Sequence, residues 1–257
     1  MEYKNRLVAI AIKYEGDWQK IYDSIDKREN IEDEYIQKAE ALKCKTVTLL
    51  DEDYPYSLRQ APKPPFVLFY YGDLSIISHY RMNVSMVGSR HPSPYGLKKT
   101  REIASGLAQK GYVIVSGNAI GIDTQAEIAA VDAGGKTCAI LPCGIGTCYP
   151  PSNRELIKEL KSNHLVISEH PYNYQPKQED FPIRNRIIAA LSKTLVVAEA
   201  SYRSGSLITA TLALSGNADV MCVPHEADKN SECNRLIMHG AFLVENVDDV
   251  INQMSDF

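Results

Sequence analysis

The sequence predicts an α/β fold in which helices cover both faces of a mostly parallel sheet. From residue 83 onward, short apolar runs alternate with segments whose apolar residues recur at helical spacing. The runs are continuous rather than alternating, which is typical of strands buried on both faces. Glycine, serine and arginine clusters directly follow the runs, as expected of loops at the carboxyl ends of parallel strands. We therefore predict a Rossmann-like, doubly wound sheet.

The first sixty residues follow a different pattern. Residues 3–43 contain short amphipathic helical segments, for example around Ile31 and Tyr35. Proline-rich connections then lead into the alternating part of the chain. We predict a small N-terminal helical domain with a linker over residues 1–60, followed by an extended Rossmann-like domain over residues 61–257.

The expected elements can be assigned in chain order. Two candidate strands precede the alternating region, at residues 46–50 and 66–70. The later strands are predicted at 84–87, 112–115, 137–141, 165–167, 194–198 and 219–223. The helices between and after them are predicted at about 96–110, 121–133, 152–162, 185–192 and 206–215.

Composition excludes several classes of protein. The chain has 257 residues, of which 44% are hydrophobic, yet no apolar run reaches the roughly eighteen residues of a membrane span. The N-terminus lacks the order of a signal peptide, so we expect a cytoplasmic protein. The six cysteines form no CxxC pair, which favours reduced core thiols over a zinc site or a disulfide framework.

Charge is distributed unevenly along the chain. The net charge is -4, but residues 81–209 carry 15 Lys/Arg against 10 Asp/Glu, and residues 210–257 carry 2 against 8. The basic middle contains every candidate phosphate loop, which favours a polyanionic or nucleotide ligand. The alternative is chance clustering on a solvated surface.

A serine–glycine turn before a helical pattern is the most specific candidate for anion binding. Ser204, Gly205 and Ser206 offer two hydroxyls and a close backbone, and Thr209 lies one turn further on the side of Ser206. N–H groups at a helix N-terminus favour an anion. The alternative is an ordinary serine N-cap, which uses the same donors.

Two further turns follow apolar runs. In the first, Ser89 and Arg90 follow a glycine, and Arg90 can form bidentate hydrogen bonds with a phosphate. A surface ion pair is the simpler alternative. In the second, Ser116 and Gly117 open a glycine-rich strand–helix turn. Its alternative is a tight turn whose Asp123 complements the helix dipole.

Two arginines flank Asn185 in the segment that begins with Phe181. Arg184 and Arg186 are two residues apart and therefore point in different directions in either a strand or a helix. We expect one to hold a phosphate and the other to pair internally with Glu169 or Glu199. The sequence leaves open which does which.

Catalytic constellations are not evident in the sequence. We find no GxSxG elbow, no P-loop, no paired carboxylates and no histidines at metal-ligand spacing. Asp123, Glu169 and Glu199 are more readily explained as hydrogen-bonding groups than as bases. We therefore predict no catalytic residue, no metal and no cofactor.

Ordered motifs over roughly residues 51–250 resemble those of the DprA/Smf (DNA-processing protein A) family. The matching segments include Tyr54-Pro-Tyr-Ser-Leu-Arg59, Val87-Gly-Ser-Arg90 with Ser93-Pro-Tyr-Gly96, Phe181-Pro182 with Arg184-Asn-Arg186, and Ser204-Gly-Ser-Leu-Ile-Thr-Ala210. The resemblance implies a dimeric, non-enzymatic protein that binds single-stranded DNA, protects incoming strands and loads the RecA recombinase during natural transformation.

The resemblance also implies roles for particular residues. Phosphates would be engaged by Arg90, Lys136, Arg184, Arg186 and Arg203. The anion pocket would be formed by Ser89, Gly117, Ser204, Gly205, Ser206 and Thr209, and DNA or phosphate would also be contacted by Ser116 and Asn185. Phe181 or a nearby tyrosine would stack bases. The homodimer would form around Leu236, Ile237 and Leu243.

Departures from the family pattern keep other functions open. Ile120 stands where the family has a cation, and His225 and Glu232 replace glycines. These changes weaken the expectation of DNA binding at that end and allow a nucleotide-binding enzyme or sensor that uses the same pocket. A third interpretation is a partner protein that acts through its acidic tail, which could also face RecA. Because seven residues follow residue 250, we expect no C-terminal winged-helix module.

Overall fold

The computed structural model describes residues 2–201, 204–227 and 231–255. Within these ranges nine strands form one sheet. In chain order the strands are β1 (Lys45–Thr48), β2 (Val67–Gly72), β3 (Asn83–Gly88), β4 (Val113–Ser116), β5 (Lys136–Ile140), β6 (Leu165–Ser168), β7 (Thr194–Glu199), β8 (Asp219–Cys222) and β9 (Phe242–Leu243).

The sheet is doubly wound. Its spatial order is β1-β2-β6-β5-β4-β3-β7-β8-β9, and the strands from β6 to β9 in that order are parallel. Only β2 runs against its neighbours β1 and β6. The chain proceeds outward in one direction from β3 to β6 and in the other from β7 to β9, which creates a topological switch point between β3 and β7. The predicted Rossmann-like fold class is confirmed.

Helices cover both faces of the sheet. They are α1 (Glu2–Lys13), α2 (Trp18–Asp26), α3 (Asp33–Glu40), α4 (Tyr56–Arg59), α5 (Pro94–Gln109), α6 (Ile122–Asp132), α7 (Arg154–Asn163), α8 (Asp180–Ala190), α9 (Gly205–Ser215), α10 (Glu232–Met238) and α11 (Val247–Ser255). Most predicted boundaries lie within two residues of these. Helix α8 begins five residues earlier than predicted, because Pro182 falls in the first turn, where a missing N–H costs no hydrogen bond.

The N-terminal helices pack directly on the sheet. Leu7 and Ile10 of α1 and Ile21 of α2 share a buried cluster with Phe69 of β2 and Val166 of β6. Strand β1 also lies within the first sixty residues and pairs with β2. The domain boundary near residue 60 stays a prediction, and the helices and the sheet have a common apolar core.

The loops that contain most of the predicted site residues lie at the carboxyl ends of the parallel strands. The N-termini of α5, α6 and α9 lie at this edge, because each of these helices follows a strand directly. The six cysteines are all free thiols, and four of them are buried. No helix in the described part of the chain is both long enough and apolar enough to cross a membrane.

Candidate nucleic-acid interface

A cleft of about 360 Å³ lies beside the switch point, between the loop after β3 and the first turns of α8 and α9. It brings together most of the predicted site residues. Those lining it are Ser89, Arg90, Phe181, Arg184, Asn185, Ser204, Gly205, Ser206 and Thr209. Segments that are far apart in sequence therefore form one surface, as the rule for open α/β sheets predicts.

The rim of the cleft, which we define as Arg90, Phe181, Ser204, Gly205 and Ser206, borders the open space of the cleft. Arg90 is exposed, and its guanidinium carbon lies 5.0 Å from the centroid of the Phe181 ring. This cation–π contact holds the charge over the ring without neutralising it. The rim thus presents a solvated cation beside an aromatic face.

The serine turn forms the other side of the rim. Helix α9 begins at Gly205, and the Ser204 and Ser206 hydroxyl oxygens are 2.7 Å apart. Ser204 makes no side-chain capping bond to the helix backbone. A Cβ at Gly205 would meet no heavy atom within 4 Å, so the backbone there borders open space. The turn can offer helix N–H groups to an anion.

Asn185 links the two helices that border the cleft. Its side-chain N–H donates to the Gly205 carbonyl oxygen at 3.4 Å, and its Oδ1 accepts from Arg184 Nε at 3.1 Å. Thr209 is buried one turn into α9, where its hydroxyl lies 3.5 Å from the Gly205 carbonyl oxygen. These contacts fix the start of α9 relative to α8.

The floor of the cleft, which we define as Asp123 and Arg184 of the lining together with Gly117 and Glu127 buried beside them, is a buried polar cluster. Arg184 is 4% exposed, and its Nη1 donates to the carbonyl oxygens of Gly117, at 2.6 Å, and of Ile140. Burial lowers the pKa of Arg184 to about 10, while the nearby carboxyl groups of Asp123 and Glu127 oppose this shift. The guanidinium therefore ties α8 to the ends of β4 and β5.

The two carboxyl groups of the floor accept backbone hydrogen bonds. Asp123 Oδ2 accepts from Gly117 N–H at 3.1 Å, and Glu127 Oε1 accepts from Asn118 N–H at 2.9 Å. Burial raises the pKa of both groups, and the pKa of Glu127 lies well above its ordinary value because the nearby Asp123 adds to the effect of burial. The loop after β4 is thus held from beneath by buried polar groups.

Gly117 has a packing reason to be glycine. A Cβ at this position would lie 2.6 Å from Nη2 of Arg184 and 2.7 Å from its Cζ. The space that a side chain would need is filled by the guanidinium. The glycine of this turn is therefore required by the arginine beneath it.

Arg186 pairs with Glu169, one of the two partners that the sequence left open. Its Nη2 and Nη1 donate to the two carboxylate oxygens at 2.6 and 3.2 Å. Glu199 instead accepts hydrogen bonds from the backbone N–H and the hydroxyl of Ser93. Both arginines of this segment are therefore engaged within the protein.

Two more of the predicted residues have their contacts away from the cleft. Lys136 is the first residue of β5 and lies at the amino ends of the parallel strands, opposite the cleft, and its Nζ donates to the Asn163 carbonyl oxygen at 3.0 Å. Ser116 is buried and donates to the Met86 carbonyl oxygen at 2.7 Å. Arg203 lies outside the described residues.

Sequence reasoning gave Tyr149 no role in the site, and it treated Ile120 only as a departure from the family pattern. Tyr149 and Ile120 line a small hollow together with Arg90 and Phe181. The Tyr149 and Phe181 rings meet edge to face, with centroids 5.4 Å apart. The Tyr149-Pro150-Pro151 motif was the available signal, although it gave no role. Among the described residues, no group of three or more metal-ligating side chains is found.

The comparison with family models decides the family. The model for DNA recombination-mediator protein A matches residues 45–255. The chain belongs to this family. Among curated relatives, DNA processing protein DprA of Streptococcus pneumoniae is 41% identical over 223 residues, which cover 86% of this chain and 78% of the relative. Protein Smf of Synechocystis is 36% identical over 94% of this chain, which spans 62% of that relative's length.

Solved structures of the family superpose on this fold. The structure of the Streptococcus pneumoniae protein matches with a TM-score of 0.82 and 34% identity, covering 96% of this chain and 92% of that one. DNA processing protein A of Helicobacter pylori matches with a TM-score of 0.75 and 30% identity, covering 83% and 97%. The latter structure gives insight into a single-stranded DNA binding mode.

Proposed function

We propose that this protein binds single-stranded DNA through the cleft and acts as a non-catalytic recombination mediator. The rim carries this proposal, because an exposed Arg90 held over Phe181 stands opposite a helix N-terminus. A cation and N–H donors suit a phosphate, and an aromatic face suits a base. The single-stranded DNA binding mode of the Helicobacter pylori relative supports it.

Within this proposal the residues divide by role. Arg90 and the start of α9 would contact phosphate, and Phe181 would stack a base. Arg184 and Arg186, which are bonded to backbone carbonyls and to Glu169, would position the loops that make these contacts. Lys136 lies too far from the cleft to contact the same part of the DNA. Its predicted phosphate contact would therefore require a DNA strand long enough to reach both places.

A salt titration with competitors tests the proposal. Affinity for an unstructured single strand should fall steeply with salt, because neutralised phosphates release counterions. Excess double-stranded DNA or mononucleotide should compete poorly in a gel-shift assay. A log–log salt slope near zero would refute the electrostatic basis, and effective competition by a mononucleotide would favour a nucleotide-binding enzyme or sensor.

We further propose that the protein protects incoming strands and loads RecA during natural transformation, in the cytoplasm. The acidic segment over residues 210–257, with 2 Lys/Arg against 8 Asp/Glu, would face the recombinase. ATP hydrolysis by RecA on strands covered with single-strand-binding protein should begin sooner when this protein is added. An unchanged lag would contradict loading.

The proposed homodimer uses the β9 edge of the sheet. Leu243 is 47% exposed on β9, whereas Leu236 and Ile237 of α10 pack partly against the core. Leu243→Glu should therefore give a folded monomer with weaker affinity for long strands, since a two-fold partner adds phosphate contacts. Sedimentation of the wild type as a monomer at micromolar concentration would exclude this dimer.

A further inference from the structure

A second cavity, of about 880 Å³, lies on the other side of the switch point from the cleft. It opens at the carboxyl ends of β7 and β8, beside the N-terminus of α5. Its lining includes Tyr95, Glu199, Ser201, His225 and Glu226. Ser201 also lines the cleft, so the two spaces adjoin along the loop after β7.

One wall of this cavity is an aromatic ring held in place. Tyr95 is 40% exposed, and its hydroxyl donates to the Pro224 carbonyl oxygen at 3.1 Å. The His225 ring meets it edge to face, with the centroids 5.2 Å apart. A ring anchored on two sides loses little conformational entropy when a planar group stacks on it.

A second wall carries a fixed carboxylate. Glu199 accepts from the Ser93 N–H at 3.0 and 3.1 Å and from the Ser93 hydroxyl at 2.7 Å. A Cβ at residue 96 would overlap Glu199 Oε2, so Gly96 is what admits the carboxylate to the start of α5. A carboxylate has about four lone-pair sites and can accept from a ligand as well.

The charges of the lining favour a donor rather than a phosphate. The Glu199 carboxylate would repel a phosphate, but it can accept from an amino group. A stacking ring beside a carboxylate acceptor suits a nucleobase with an exocyclic amine, as glutamate accepts from cytosine N4 in base recognition.

We propose that this cavity binds one base of the strand whose phosphates lie in the cleft, with the base stacked on Tyr95 and its exocyclic amine donating to Glu199. The proposal rests on the proposed single-stranded DNA binding. Adenine and cytosine offer such an amine and thymine does not, so the cavity introduces a preference at one position of an otherwise sequence-tolerant site.

A base scan along one oligonucleotide tests this subsite. A thymine-only strand is prepared with a single adenine, cytosine or abasic residue at successive positions, and its affinity is measured by fluorescence anisotropy. At one position the abasic residue should weaken wild-type binding by about five- to hundredfold, the range of one stacked base. At that position adenine and cytosine should bind more tightly than thymine.

Variants connect that position to the cavity. Tyr95→Ala should weaken binding of the intact strand and abolish the abasic penalty at that position, whereas Tyr95→Phe should retain the penalty. Glu199→Gln should reduce the preference for adenine and cytosine over thymine. Tyr3→Ala is the matched control, because Tyr3 is 80% exposed on α1 near the β1 edge of the sheet.

A readout on the wild type avoids dependence on a variant's folding. 2-Aminopurine at the sensitive position should lose fluorescence on binding, because it stacks, and should not do so at neighbouring positions. If the wild type binds single strands but shows no position-specific penalty or quenching, the subsite is wrong and the proposed function stands. If the wild type binds no single strand, the proposed function itself fails.

Discussion

The rim and the floor of the cleft each contain an arginine, yet the two arginines differ in environment. Arg90 is exposed over an aromatic ring, whereas Arg184 is buried against backbone carbonyls and two carboxyl groups. A solvated cation can exchange water for a phosphate, but a buried one already has its partners. The comparison teaches that the surroundings of an arginine, more than its motif, determine whether it binds a ligand or supports the site.

This difference predicts that stability and binding can be separated by mutation. Removing one member of a buried charged cluster leaves the others uncompensated, so the floor should control the free energy of unfolding. In the rim the Arg90 side chain is exposed, so its removal should change affinity alone. The following experiments test that separation, from the largest expected effect to the smallest.

Arg184→Met should destabilise the protein by about 3–5 kcal/mol, because Asp123 loses its buried counter-charge and two carbonyl oxygens lose a donor. Urea denaturation followed by circular dichroism measures this change. Arg90→Ala is the matched control and should shift the unfolding free energy by less than about 0.5 kcal/mol. Equal stability of the two variants would remove the distinction between floor and rim.

Gly205→Val should reduce affinity for single-stranded DNA by about a hundredfold, because blocked N–H bonds to a charged group are each worth about 1.5–3 kcal/mol. The fold should tolerate the side chain, since a Cβ there meets no atom within 4 Å. Fluorescence anisotropy gives the affinity and thermal melting checks the fold. Ser204→Ala should have a smaller effect, and unchanged binding by the valine variant would place the anion site elsewhere.

Arg90→Ala should weaken binding by about tenfold, the value of one charge-assisted phosphate bond, and by the same factor for strands of different sequence. Parallel titrations of thymine-rich and cytosine-rich oligonucleotides measure this uniformity. Lys136→Ala is the contrast, because Lys136 lies at the amino end of β5, opposite the cleft. This variant should leave the affinity for short oligonucleotides nearly unchanged. A loss confined to one sequence would contradict a phosphate role for Arg90.

Glu127→Gln should flatten the dependence of stability on pH. The pKa of Glu127 is raised above its ordinary value of 4.5, so the folded state keeps a proton that the unfolded state releases. That contribution is complete below pH 4.5 and is lost as pH rises through the folded pKa. Urea midpoints measured across this interval should fall less in the variant, and parallel curves for both proteins would contradict a protonated Glu127.

The sequence predicted the sheet and most of its elements because strand and helix periodicities are local. The loops that follow parallel strands lie together at the carboxyl ends of the strands. Ser89, Arg90, Ser204 and Gly205 could therefore be grouped from the sequence alone. The same reasoning could have separated Lys136 from this group, because Lys136 precedes its apolar run rather than following it. Position relative to the strand was the available signal.

The environments of Arg184 and Tyr95 could not be predicted in this way. The burial of Arg184 depends on carbonyl groups of residues 117 and 140, which no local pattern connects to α8. Tyr95 faces a cavity completed by residues more than a hundred positions away, including Glu199 and His225. Whether a side chain meets solvent or its own protein is a long-range property.

The contact between Gly117 and Arg184 has a consequence for how this sequence can change over evolution. An alanine at 117 would collide with the guanidinium, and a smaller residue at 184 would leave Asp123 without its buried counter-charge and two carbonyl oxygens without a donor. Each position therefore restricts the substitutions permitted at the other, although 67 residues separate them. Such a pair is epistatic: Gly117→Ala should be harmful alone and become less harmful once residue 184 is shortened and its acidic neighbours are neutralised. Divergent family members should thus have exchanged this cluster as a unit rather than one residue at a time.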